Sequence, residues 1–108
     1  MLEKDLQKKG IDLLSKKGAW SVKTIVSNKG GVHDVITCLP MTKEEVLKIF
    51  ETQEKVGVFL SVEYKNPNGK GVTSALQLRN KKQIKNAGGI TGIVESLEDL
   101  KRLLKNEQ

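Results

Sequence analysis

Gly30–Pro40 reads GGVHDVITCLP and Val56–Asn66 reads VGVFLSVEYKN, and the way these two stretches sit together decides the fold. Each contains a short apolar run, Val35–Leu39 and Val56–Val62, rich in β-branched residues and so expected to form a buried strand. Charged chemistry stands at one end of each run: Asp34 opens the first, and Glu63 and Lys65 close the second. Side chains alternate along a strand, so Glu63 and Lys65 share a face while Val62 and Tyr64 point the other way. If the runs pair antiparallel, the start of one lies beside the end of the other. Asp34 then meets Glu63, and two carboxylates and an ammonium converge.

Hard divalent cations take carboxylate oxygens, and a lysine beside a metal-bound water can orient it, deprotonate it or stabilise charge on a phosphate. That is the inventory of a metal-dependent phosphodiesterase. An Asp opening one strand and Glu-x-Lys closing the next is similar to the PD-(D/E)xK nucleases. The blocks Gly31-Val32-His33-Asp34, Phe59-Leu60-Ser61-Val62-Glu63-Tyr64-Lys65, Gln77-Leu78 and Ala87-Gly88-Gly89-Ile90 occur in that order. With them the chain, from about Glu3 to Leu104, resembles the VRR-NUC (virus-type replication-repair nuclease) family. One departure is His33, where the family usually has proline; this bears on loop stiffness more than on chemistry.

The resemblance implies a restriction-endonuclease-like α/β fold. It also implies Mg²⁺ or Mn²⁺ held by Asp34, Glu63 and the backbone carbonyl of Tyr64, with Lys65 positioning the attacking water and Gln77 and Glu3 supporting the site. Small relatives of this kind resemble Holliday-junction resolvases, so the implied activity is a structure-selective DNA endonuclease of replication, repair or recombination, cutting branched DNA as a homodimer. The alternative is a non-catalytic DNA-binding domain on the same fold. It accounts for a basic surface but gives no reason for Asp34, Glu63 and Lys65 to occur together. An RNA-binding protein fits the charge but not the aromatics: Trp20, Phe50, Phe59 and Tyr64 fall mostly on apolar faces and offer no stacking platform.

Length and composition are those of one domain spanning residues 1–108, with 37% hydrophobic residues and room for a single core. No run approaches the roughly 20 apolar residues of a membrane span, and the charged start MLEKDLQKK lacks the apolar centre of a signal peptide, so a cytosolic location without a membrane partner is expected. The single Cys38 lies within an apolar run and reads as a core thiol. Nineteen basic against thirteen acidic residues give a net charge of +6, which favours a polyanionic partner. The basic residues are segregated. No acid lies between Glu63 and Glu95, where Lys70, Arg79, Lys81, Lys82 and Lys85 fall, and none between Asp12 and Asp34, which hold Lys29 between them. These lysines and Arg79 are the candidate DNA contacts.

In chain order, Leu2, Leu6, Leu13 and Leu14 fall near one face of a helix over about Leu2–Lys17, with Gly10 on that face. Glu3 on its first turn reads either as a dipole-favoured glutamate or, by the resemblance, as a residue reaching the metal site. Ala19–Val26 is a strand, and Asn28-Lys29-Gly30-Gly31 a turn into the next. No helix follows those glycines, so neither a P-loop nor a dinucleotide fingerprint exists and no organic cofactor is expected. Thr42-x-x-Glu45 caps a helical insert over about 42–55, with Val46, Leu47, Ile49 and Phe50 on its apolar face, and this face either covers the sheet or meets a second copy. Asn66–Gly71 is a loop. Ser74-x-x-Gln77 opens a basic helix ending at Gly88, so Gln77 has a capping role that can coexist with an active-site one. Gly89–Val94 is a strand, and Ser96-x-x-Asp99 caps a last helix with Leu97, Leu100, Leu103 and Leu104 inward. The expected architecture is α-β-β-(α)-β-α-β-α, a central four-stranded mixed sheet flanked by helices.

Overall fold

The computed structural model describes residues 2–24, 35–66 and 74–105. The chain is mixed α/β, and its elements follow the expected order: α1 (Glu3–Lys16), β1 (Trp20–Lys23), β2 (Val35–Cys38), α2 (Lys43–Ile49), β3 (Leu60–Tyr64), α3 (Ala75–Asn86), β4 (Ile90–Val94) and α4 (Leu97–Leu104). The expected turn around Lys29, the stretch holding His33 and Asp34, and most of the loop bearing Lys70 lie outside the described residues. No described helix is long and apolar enough to cross a membrane.

The strands do not form one sheet among the described residues. β1 pairs antiparallel with β2, in the register Trp20 to Cys38 and Lys23 to Val35. β3 pairs parallel with β4, Leu60 opposite Ile90 and Tyr64 opposite Val94. The antiparallel pairing of the Val35 and Val56 runs is therefore not seen. The second run starts its ladder at Leu60, four residues later than its composition suggests. Gly57 interrupts the preceding segment and Val58 is 65% exposed, so Val56–Val58 stays outside the ladder, whose first bond is the one the Phe59 carbonyl accepts from Ile90.

Side-chain contacts join the two pairs of strands. The Trp20 ring meets Phe59 edge-on, centroids 5.8 Å apart. Cys38 donates its thiol proton to the Ala87 carbonyl at 3.6 Å, and burial raises its pKa, as befits the expected core thiol. The buried core is Cys38, Ile84, Ala87, Val94 and Leu103. α3 and α4 both pack on β4; Leu103 of α4 fills the space over Gly92, where a Cβ would come within 2.9 Å of it. Ser21 and Thr37 share a cross-strand hydroxyl bond of 2.8 Å.

The caps form as the sequence predicts. Thr42 and Glu45 make a reciprocal capping box, Ser74 and Gln77 make another, and Ser96 accepts from the Asp99 amide. Three apolar faces are only partly covered. On α1, Leu2, Leu6 and Leu13 are exposed, and the side toward the protein carries Gln7, Ile11 and Leu14. On α2, Val46 and Ile49 are half-buried while Leu47 and Phe50 are exposed. On α4, Leu103 is buried and Leu100 partly so, but Leu97 and Leu104 are exposed. Two strands about 5 Å apart offer a surface narrower than one helix, so each helix buries a single thin stripe.

Two glycines test this packing in opposite directions. A Cβ on Gly89 would lie 2.7 Å from Ile84 Cγ2 and 3.1 Å from Cys38 Sγ, so Gly89→Ala should cost about 1–3 kcal/mol by overpacking. Gly10, within α1, has nothing within 4 Å of that position, and Gly10→Ala should stabilise by roughly 0.5–1 kcal/mol. Urea unfolding of both variants measures the two shifts.

Candidate active site

The parallel register places side chains by parity. Ser61, Glu63 and Lys65 leave β3 on one face, with Thr91 and Ile93 of β4 beside them, while Val62 and Tyr64 take the face shared with Gly92 and Val94. α3 crosses the first face and presents Gln77, Asn80, Lys81 and Ile84, spaced three, four and seven residues apart as one helical stripe requires. Between them lies a cleft of about 170 Å³, closed at one side by Trp20.

At this cleft one carboxylate oxygen gathers two donors. Lys65 Nζ lies 3.2 Å from Glu63 Oε1, and Gln77 Nε2 donates to the same oxygen at 2.5 Å. The amide orientation of Gln77 follows from its cap. Ser74 N–H requires an acceptor and finds Gln77 Oε1 at 2.9 Å, so the NH₂ end must face Glu63. The Lys65 side chain is 13% exposed and that of Glu63 34%. At that exposure the ion pair is worth at most about 1 kcal/mol, so its value lies in geometry more than in stability. Glu63 Oε2 makes no hydrogen bond to another described residue.

Three of the five residues assigned to catalysis, Glu63, Lys65 and Gln77, thus come together. Asp34 lies outside the described residues, as do Lys29 and Lys70. Glu3 is exposed on the first turn of α1 and does not line the cleft. Tyr64 is 70% exposed on the opposite face. The ladder runs from the Phe59 carbonyl, which accepts from Ile90, to the Lys65 amide, which donates to Val94, so the Tyr64 carbonyl points to the outer edge of β3. Of the basic residues on α3, Lys81 lines the cleft and is half-buried, while Arg79, Lys82 and Lys85 are exposed. Sequence reading missed Ser61 and Asn80 as neighbours of the site. Their signal was present, because Ser61 stands two before Glu63 on one strand and Asn80 three after Gln77 on one helix.

Among the described residues no three His, Cys, Asp or Glu side chains gather closely enough to hold a metal ion by themselves. Comparison with protein-family models, with curated proteins and with solved structures returns no match.

The double use of Gln77 has a measurable consequence. Ser74→Ala removes one capping bond and should cost about 1 kcal/mol. Gln77→Ala removes the return bond to Ser74 and the bond to Glu63 together, and should cost roughly 2 kcal/mol. In a Glu63→Ala background the extra loss should disappear; an undiminished cost in that double-mutant cycle would show that the Gln77–Glu63 bond contributes nothing.

Proposed function

We propose that this chain is a metal-dependent DNA endonuclease of restriction-endonuclease-like architecture, structure-selective and acting on branched DNA as a homodimer. The observation that carries the reading is the meeting of Lys65 Nζ and Gln77 Nε2 on Glu63 Oε1 at the mouth of a cleft. A glutamate, a lysine and a glutamine are the groups that the VRR-NUC resemblance requires at one point, and here they arrive from a strand and a helix. Asp34, the second carboxylate of that pattern, immediately precedes β2 in the sequence.

The donor set suits a hard divalent cation. Glu63 would hold Mg²⁺ or Mn²⁺ through a carboxylate oxygen, with Asp34 and the Tyr64 carbonyl as further ligands, and a cation so bound supplies a Lewis acid and a more acidic water. The chain's own residues do the rest. Gln77 and Lys65 fix the plane of the Glu63 carboxylate, and the Lys65 ammonium offers a proton donor to the attacking water or a phosphate oxygen. Arg79, Lys81, Lys82 and Lys85 on α3 give the strand-binding surface its positive charge. The second reading, a DNA-binding domain without hydrolysis, draws on the single acidic side chain that the described residues supply to the cleft.

Cleavage of labelled four-way junction, flap and linear duplex with Mg²⁺, Mn²⁺ or chelator separates the readings. Asp34→Ala and Glu63→Ala should each reduce cleavage by more than about a hundredfold while DNA affinity in chelator holds or rises, because a charge that repels phosphate is removed. Lys65→Ala should slow cleavage by about a hundredfold. Near-wild-type cutting by both carboxylate variants would sink the nuclease reading, and no cutting by the wild type under any condition would leave the binding domain.

Salt dependence tests the basic helix. Replacing Lys81 and Lys82 together by alanine should weaken binding and flatten the slope of log K against log salt by about 1–2, since fewer phosphates are then neutralised and fewer condensed counterions set free. An unchanged slope would mean that α3 faces away from DNA.

A further inference from the structure

The cleft over Glu63 has a lining that the hydrolytic groups leave unused. Trp20, Ile84 and Ile93 give it apolar walls, and Ser61, Asn80 and Thr91 bring polar side chains to it. Among the described residues none of these three polar side chains has a hydrogen-bond partner. Thr91 is only 5% exposed, and no described side-chain oxygen is sealed away without a partner, so its hydroxyl still opens into the cleft. A hydroxyl so placed gives up bulk water on folding and regains a partner only from what enters the cleft. Water would serve the polar groups but not the apolar walls, whereas a flat ring with a polar edge serves both.

Size and edge chemistry narrow the ring. A cavity of about 150 Å³ holds one benzene molecule, so a cleft of about 170 Å³ takes a single six-membered ring. A purine adds a fused second ring that would stand outside. The Asn80 amide has a donor and an acceptor side by side, which match the adjacent donor and acceptor on the pairing edge of either pyrimidine base. Trp20, held edge-on against Phe59, closes one side of the slot. Lys81 lines the same cleft, and Arg79, Lys82 and Lys85 are exposed on the same helix, so the ring's carrier is met by positive charge.

We propose that this cleft is a base pocket that accepts one unpaired pyrimidine of a DNA strand, read by Asn80, Thr91 and Ser61 beside Trp20. Duplex DNA keeps its bases stacked and paired, whereas a branch point leaves bases free to enter a pocket at little cost. Choice of branched DNA then follows from the pocket. The proposal rests on the DNA-binding part of the function proposed above and needs no hydrolysis.

Its test is therefore run in chelator, on short abasic strands carrying at their centre one thymine, one cytosine, one adenine or no base. Affinity is read by anisotropy of the labelled strand, and entry into the cleft by the emission of Trp20, the one tryptophan in the chain. Thymine and cytosine should each raise affinity about tenfold over the baseless strand and change Trp20 emission, and adenine should do neither. Asn80→Ala, on a half-buried helix position, and Thr91→Val, which keeps the side-chain shape, should each erase most of that tenfold gain. Circular dichroism should be unchanged in Asn80→Ala. The pocket is overturned if a pyrimidine adds nothing, if adenine does as well, or if both variants keep the gain. Thymidine monophosphate binding as tightly as the thymine strand would overturn it too, by showing a mononucleotide site. Baseless-strand binding without base preference leaves the DNA reading standing and removes the pocket. A pyrimidine preference in a chain that never cuts with Mg²⁺ or Mn²⁺ upholds the pocket and removes the nuclease, and failure to bind any strand removes both.

Discussion

Parallel strands cannot be joined by a tight turn, because the chain must travel back the length of the strand before it can pair again. β3 and β4 are parallel, and α3 makes that return journey. This one constraint positions the candidate site. A crossover helix has to lie over one face of the two strands it connects, and the face it covers is the one from which Ser61, Glu63 and Lys65 project. Gln77, Asn80 and Lys81 are brought above the carboxylate because they occupy the inward stripe of the connecting helix.

The start of that helix adds precision. An N-terminal turn leaves amide protons unpaired, and Ser74 and Gln77 satisfy them reciprocally. Because the Gln77 oxygen is committed to the Ser74 amide, the nitrogen is left for Glu63. A local requirement of helix initiation therefore sets the polarity of a hydrogen bond at the candidate catalytic carboxylate. The residue does both tasks with opposite ends of one amide group.

The narrowness of the sheets has the opposite consequence for the apolar surface. A helix laid on two strands buries one stripe, and a helix with leucines over a wider arc keeps part of them in water. α1 and α4 both do so, which is why the core reduces to a few residues gathered around Cys38, Ile84 and Ala87. On the insert bearing α2, Leu47 and Phe50 are exposed as well.

Local signals determined a good deal by themselves. The order of eight elements, the capping boxes at Thr42 and Ser74, the cap at Ser96, the core character of Cys38 and the shared face of Glu63 and Lys65 all follow from spacing and residue chemistry within a few positions. Tertiary structure alone decided which strands pair, which leucines are covered, and that Ser61, Asn80 and Trp20 join Gln77 around the Glu63 cleft. The physical reason is range. Capping and strand alternation are set by neighbours along the chain, whereas pairing and burial depend on surfaces that distant segments supply, and an apolar residue carries no record of whether a partner surface is wide enough to cover it.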